Sequence, residues 1–266
     1  MDGERFRRLQ TVWEDATARR RAVADANAAL VQGALSEWPR DEVADAVRWI
    51  QARLAAGEDP GPFAVEEGCL EEVIDVDGDP RADLVDTVWL AHSTYTAEQI
   101  ARLARRAPQI VSLHLEEVLA KDELAGLFPG TEPWSRLRTL VCDACEFDSA
   151  LMPGLARTAL PALRSARFYQ HADFYKLEGA RWLATLEHLA IDHHAGALAW
   201  LGEVALTNLV ELEIANVHFY ESYADEVSDV FGVGRSRRPR LARIVFTHVP
   251  DDYVLPMIAG LEVLRR

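Results

Sequence analysis

Four groups of residues in this chain have the types and spacing to do chemistry. The first is DVDGDPRADL (75–84), where Asp75, Asp77, Asp79 and Asp83 offer carboxylates around a glycine, Gly78. Hard cations such as calcium take rings of oxygen ligands, and carboxylates this close repel one another without a counterion. The second is His188, Asp192, His193 and His194, side chains of the kind zinc accepts. The third is Cys142-Asp-Ala-Cys145, the spacing of a redox pair or of half a zinc site. The fourth is a run of cations, Arg235, Arg237, Arg238, Arg240 and Arg243, able to grip an acidic partner or nucleic acid. The sequence has no phosphate-cradling loop, nucleophile elbow or HExxH.

The elements that position these groups come from a repeat. Between Val85 and Phe246 an apolar residue is followed three and five positions later by two more, seven times over. The copies are Val85/Val88/Leu90, Ile110/Leu113/Leu115, Leu137/Leu140/Cys142, Leu163/Ala166/Phe168, Leu186/Leu189/Ile191, Leu209/Leu212/Ile214 and Leu241/Ile244/Phe246. First slots recur at intervals of 25, 27, 26, 23, 23 and 32 residues, periods of a solenoid rather than a layered domain. The period-two alternation predicts a strand with its apolar side inward, and the rest of each repeat returns the chain to the next strand. Returns at 96–108, 149–161 and 175–186 read as helix. Parallel strands joined right-handedly follow. A truncated eighth strand is expected around Leu261 and Leu264.

The pattern resembles the LxxLxL core of leucine-rich repeats, of a bacterial, irregular type. That resemblance implies an α/β solenoid with a curved parallel sheet, helices on its convex face and binding on its concave face. The family's usual asparagine, eight residues after the first slot, is missing. Ser93, Val118, Cys145, His171, His194, Val217 and Val249 stand there, which predicts an irregular coil. The acidic loop is similar to the DxDGDGxxDL loop of FG-GAP-type calcium sites, with Pro80 in place of the second glycine. GDPRADLV also resembles the GDPRGEFI stretch of a bacterial companion domain that accompanies such repeats.

The repeat frame reassigns most of the chemistry. Cys142 fills a core slot and Cys145 a turn slot, so both read as core thiols. His193 and His194 fall at the turn beyond a strand, as do His92, His171 and His248, a ladder suited to bonding turn backbone. The arginine run reads as a solvated loop for nucleic acid and as a contact candidate for a protein. All of it but Arg243 belongs to an insertion, 220–240, that also carries Tyr220 and Tyr223. The acidic loop is the one place where calcium-dependent binding, or less plausibly metal-dependent catalysis, competes with the binding-surface reading. Otherwise it is a solvated turn. No cofactor is otherwise expected.

Composition bounds the rest. The chain has 266 residues, a net charge of −15 and 49% apolar side chains, enough for a sizeable core. No apolar run is long enough to span a bilayer, the N-terminus is charged, and three cysteines make no disulfide framework, which together favour the cytoplasm. An acidic body repels phosphate backbones, so nucleic acid is an unfavoured partner. Residues 1–56 read as an N-terminal helical cap, with helices over Glu4–Gln32 and from Pro39 to Gly57. Residues 57–84 read as an acidic linker and 85–266 as the solenoid. Outward strand positions then include Trp89, His114, Glu116, Arg167, Tyr169, His188, Asp192, Glu211, Glu213 and Arg243. Tryptophan, tyrosine and arginine dominate interface energetics, so the expectation is a non-enzymatic module that binds a protein through this face and the insertion.

Overall fold

The first helix, α1 (Gly3–Arg19), has no proline or glycine after its first residue and carries its apolar side chains at helical spacing. Leu9, Trp13 and Ala16 are buried along one face, with Phe6 packed at its margin. Helix α2 (Arg40–Ala55) starts directly after Pro39, whose missing N–H costs nothing at a helix start. It stops before Gly57, which takes a left-handed φ of 86°. Val43, Ala46, Val47 and Ile50 are its buried stripe. The two helices share a core with Leu35, Trp38, Phe63 and Leu84. The Trp49 ring meets Phe6 and Trp13 edge-on at 5.6 and 5.7 Å, with the Arg53 guanidinium 5.2 Å from its centre. The computed structural model describes residues 3–19, 30–31, 33–35, 38–58, 60–61, 63–65, 80–91, 95–116, 126–130, 134–143, 151–169, 174–192, 195–215, 237–248 and 260–265.

The chain divides into two compact units, Met1–Trp89 and Leu90–Arg266. A two-residue strand β1 (Ala64–Val65) pairs in parallel with the start of β2 (Thr87–Ala91), Ala64 opposite Thr87 and Val65 opposite Val88, both pairs within the first unit. The Phe63 carbonyl accepts from the amides of Asp86 and Thr87, and the Asp86 carboxylate accepts the Phe63 amide at 3.0 Å. This strand lies inside the stretch read from sequence as linker. Two residues are too few to show an alternation.

The second unit is built from β3 (Ser112–Glu116), β4 (Thr139–Asp143), β5 (Ser165–Phe168), β6 (His188–Asp192), β7 (Glu211–Ala215), β8 (Arg243–Thr247) and β9 (Glu262–Arg265). Each pairs in parallel with the next, in chain order and in register. Strand β9 is the truncated strand expected around Leu264. All twenty-one repeat slots of the sequence pattern are buried, none more than 8% exposed. Each fully buried leucine side chain contributes roughly 2 kcal/mol of transfer free energy.

One backbone motif repeats with the sequence. In the second unit the amide of each of six first slots bonds the carbonyl three residues earlier: Ile110 to Ala107, Leu137 to Trp134, Leu163 to Leu160, Leu186 to Leu183, Leu209 to Leu206 and Leu241 to Arg238. The next two amides reach back to a single carbonyl of the preceding repeat, as Arg164 and Ser165 do to Arg138. These turns satisfy buried backbone and fix the register of each strand on its neighbour.

Returns pack where the slots point. Helix α3 (Ala97–Arg105) opens on a capping box made by Thr96 and Gln99, and α4 (Leu151–Arg157) lies within the second expected helix. The third expected helix is instead two 3-10 turns, Phe174–Leu177 and Arg181–Thr185. Gly179, at a φ of 78°, interrupts them and ends any continuous helix. Helix α5 (Ala195–Glu203) follows β6. Phe168 of β5 meets Phe174 and Trp182 of the returns at 6.0 and 6.5 Å, and Phe174 stacks on Trp200 of α5 at 5.0 Å.

Candidate functional site

The face of β3–β9 opposite the returns carries three rows of side chains set by the strand register. The first row runs Ser112, Thr139, Ser165, His188, Glu211, Arg243, Glu262. The second runs His114, Val141, Arg167, Ala190, Glu213, Val245, Leu264. The third includes Glu116, Asp143, Tyr169, Asp192, Ala215 and Thr247, with Tyr169 continuing β5 through its amide bond to the Cys142 carbonyl at 2.9 Å.

A polar network spans the middle of this face. The Tyr169 hydroxyl donates to Glu213 Oε1 at 2.8 Å, and the Thr247 hydroxyl donates to the same oxygen at 3.2 Å. Arg167 Nη2 lies 3.5 Å from Glu213 Oε2, and its guanidinium carbon lies 5.2 Å from the Tyr169 ring centre. Arg167 and Glu213 are two strands apart, and they meet because β6 carries only Ala190 between them. The bridge accounts for a departure from the expected exposure. Ala190 and Asp192 beneath it are buried, so Asp192 is not presented to solvent as the alternation alone predicts. Burial first, and the hydrogen bond to Glu213 second, push the Tyr169 hydroxyl well above the ordinary tyrosine range, so it stays a donor.

Beside the network, Arg243 is held by Glu211 at 2.7 Å and Glu262 at 2.9 Å. These bonds, that to Glu262 first, raise its pKa and fix it as a cation. His114 shares a 2.9 Å hydrogen bond with Ser112. Burial, and then the Arg167 charge, lower its pKa, with Glu116 opposing, which favours the neutral ring. Glu116 and His188 are exposed, and Trp89, in the first unit, is 48% exposed. Glu262 escaped the sequence reading. The partial repeat read from Leu261 and Leu264 would put Val263 in row with Arg243, but β9 pairs one residue earlier, with Glu262 opposite Arg243, Val263 opposite Ile244 and Leu264 opposite Val245.

The arginine run does not behave as a solvated loop. Arg238 is 1% exposed and its Nη1 donates to the Leu201 carbonyl at the end of α5. Burial, then the charge of Arg237, lower its pKa to about 10. Arg237 Nη1 donates to the Gly202 carbonyl at 2.6 Å, and Arg240 Nη1 to Asn208 Oδ1 at 3.0 Å. Arg238 therefore cannot serve as a partner contact. It stands three residues before a first slot, where the other repeats bury Ala107, Trp134, Leu160, Leu183 and Leu206. Two guanidiniums on the last carbonyls of α5 match the negative end of its dipole.

Other expected residues lie outside the described ones: Asp75, Asp77, Asp79, Tyr220, Tyr223, Arg235, His92, His171, His193, His194 and Cys145. Asp83 is exposed in a 3-10 turn, Pro80–Leu84. Among the described residues no group of three or more histidine, cysteine or acidic side chains is placed to hold a metal. Cys142 is a buried free thiol in its core slot. Among the described residues no helix is long and apolar enough to cross a membrane.

These features define an α/β repeat protein, a parallel sheet gaining one strand per turn of chain. No protein-family description matches the sequence, and no curated protein does. Among solved structures, a crystallised protein from Bacteroides fragilis matches at 12% identity over 85% of this chain and 82% of that one, with a TM-score of 0.42. The yeast Rad7 and Elc1 complex matches at 15% identity over 76% of this chain and 65% of that one, with a TM-score of 0.37.

Proposed function

We propose that this chain is a leucine-rich-repeat protein that binds a protein partner through the open face of its strands and performs no catalysis of its own. The observation that carries this reading is the Arg167–Tyr169–Glu213 network. It is a set of large, partly exposed side chains held in place by mutual hydrogen bonds and charge. Side chains ordered before contact lose less entropy on binding, and arginine and tyrosine are the types that anchor interfaces. Its neutral His114 and high-pKa Tyr169 are suited to accepting and donating hydrogen bonds.

Affinity capture from the source organism tests the proposal. Arg167→Ala/Tyr169→Ala is expected to lose the proteins that wild type retains, by about tenfold or more per removed anchor. Full retention of those proteins by the double variant would remove the open face from the account.

A further inference from the structure

Two consecutive returns leave a cleft of about 600 Å³ between the end of α4 and the 3-10 turn Arg181–Thr185. Its volume falls in the range of ligand clefts, roughly 300–1,000 Å³. All of its lining residues belong to the returns and none to the open strand face. Leu160, Pro161 and Trp182 make the lining apolar. Its neutral polar side chains are already used within the chain. The Trp182 indole donates to the Leu155 carbonyl at 3.0 Å, and the Thr158 hydroxyl to the Gly154 carbonyl at 2.9 Å. The Thr185 hydroxyl lies 2.7 Å from the carbonyls of both Leu163 and Trp182. What remains for a ligand is charge: Arg157 from one return, Arg181 from the next, and Glu178.

Both arginines are exposed, and among the described residues neither has an ion pair or a side-chain hydrogen bond. The Arg157 side chain passes the bare face of Gly130, where an added Cβ would come 3.4 Å from Arg157 Cβ. The surroundings are cationic as well. The described segments 134–138, 156–164 and 178–187 carry five guanidiniums and two carboxylates, net +3 in a chain of net −15. Backbone bonds hold these segments side by side: the Trp134 amide donates to the Ala159 carbonyl at 3.1 Å, and the Arg164 amide to the Arg138 carbonyl at 2.9 Å. Arg164 and Glu187 pair at 3.5 Å, which leaves Arg136, Arg138, Arg157 and Arg181 against Glu178 alone. A local surplus of cations on an acidic molecule directs an anionic partner to that place. We propose that this cleft docks an acidic polypeptide segment, an apolar side chain of which enters between the returns while flanking carboxylates pair with Arg157 and Arg181. The apolar lining favours a peptide over a phosphate backbone, which brings no apolar side chain and is repelled by the net charge of the chain. The site is separate from the open strand face, and neither reading depends on the other.

Fluorescence anisotropy of the full chain with labelled probes, at roughly 0.15 M salt, tests it. The probes are a glutamate–leucine peptide, a lysine–leucine peptide, a glutamate–glycine peptide and a single-stranded oligonucleotide. The glutamate–leucine peptide is expected to bind tightest and the lysine–leucine peptide not at all. Arg157→Glu/Arg181→Glu is expected to weaken binding about tenfold or more. Arg105→Glu/Arg265→Glu, the same charge change on exposed arginines outside the cleft, should weaken it less than about threefold. The neutral Arg157→Gln/Arg181→Gln pair guards against misfolding and is expected to weaken binding and flatten its salt dependence. Glu178→Gln removes the opposing charge and should tighten binding about twofold. Equal losses in the two charge-reversed pairs would reduce the effect to net charge and overturn the proposal. Absence of glutamate–leucine binding would do the same, as would equal or tighter binding of the glutamate–glycine peptide or the oligonucleotide.

Discussion

Residues that decide this protein's behaviour are those whose environment departs from their type. His114 is held toward its neutral form by burial and by Arg167. Its folded pKa lies below the ordinary 6.5, so the unfolded chain takes the proton first as pH falls. Its contribution to stability is complete above about pH 6.5 and is lost as pH falls toward its folded pKa. Urea unfolding of His114→Gln between about pH 7 and 5 is expected to show a shallower loss than wild type. Arg238 is the reverse case, a cation in a core slot. Arg238→Met strips the Leu201 carbonyl of its donor and should cost about 1–3 kcal/mol, whereas exposed Arg237→Met should cost less than about 1. Thermal melts of the two variants distinguish a structural clamp from a free loop. The sequence contained the sign of this role in the position of Arg238, three before a slot, but a lone arginine in an apolar column reads as an exception until its burial is seen.

At the scale of elements, the strands were legible and the returns less so. Three apolar positions per repeat fix strand, face and register together, because a slip of one residue would turn every slot to solvent. Returns lack such a constraint. They need only cover the slots, so α3 keeps its capping box while 175–186 breaks into 3-10 turns around Gly179. Strand β1 was hidden because two residues carry no period. Packing between returns also sets limits that propensity misses. A Cβ on Gly154 in α4 would lie 2.6 Å from the Phe128 carbonyl oxygen. Alanine gains about 1 kcal/mol over glycine in a helix, but overpacking costs about 1–3 kcal/mol. Gly154→Ala should therefore destabilise, read as a lower urea midpoint; an unchanged or higher midpoint would mean the backbone of residue 128 gives way freely.

Across the molecule, each unit is organised around its own requirement. The Met1–Trp89 unit buries a core to which α1 gives Leu9 and Trp13 and α2 gives Val47 and Ile50. The Leu90–Arg266 unit stacks strands so that one face is packed and the other stays open for side chains two strands apart to meet. The binding surface was legible as a set of outward positions, but not as a network. That needed the short Ala190 between two long neighbours and the loss of Asp192 from the surface, both consequences of registers across three strands. Hydroxyl-radical footprinting of the protein with a captured partner bound tests the central claim most directly, because it reads side chains on both faces at once. Tyr169 on the open face should be protected, and Tyr175 on a return, 49% exposed, should be oxidised as in the free protein. Protection of Tyr175 with Tyr169 unchanged would contradict the assignment of binding to the open strand face.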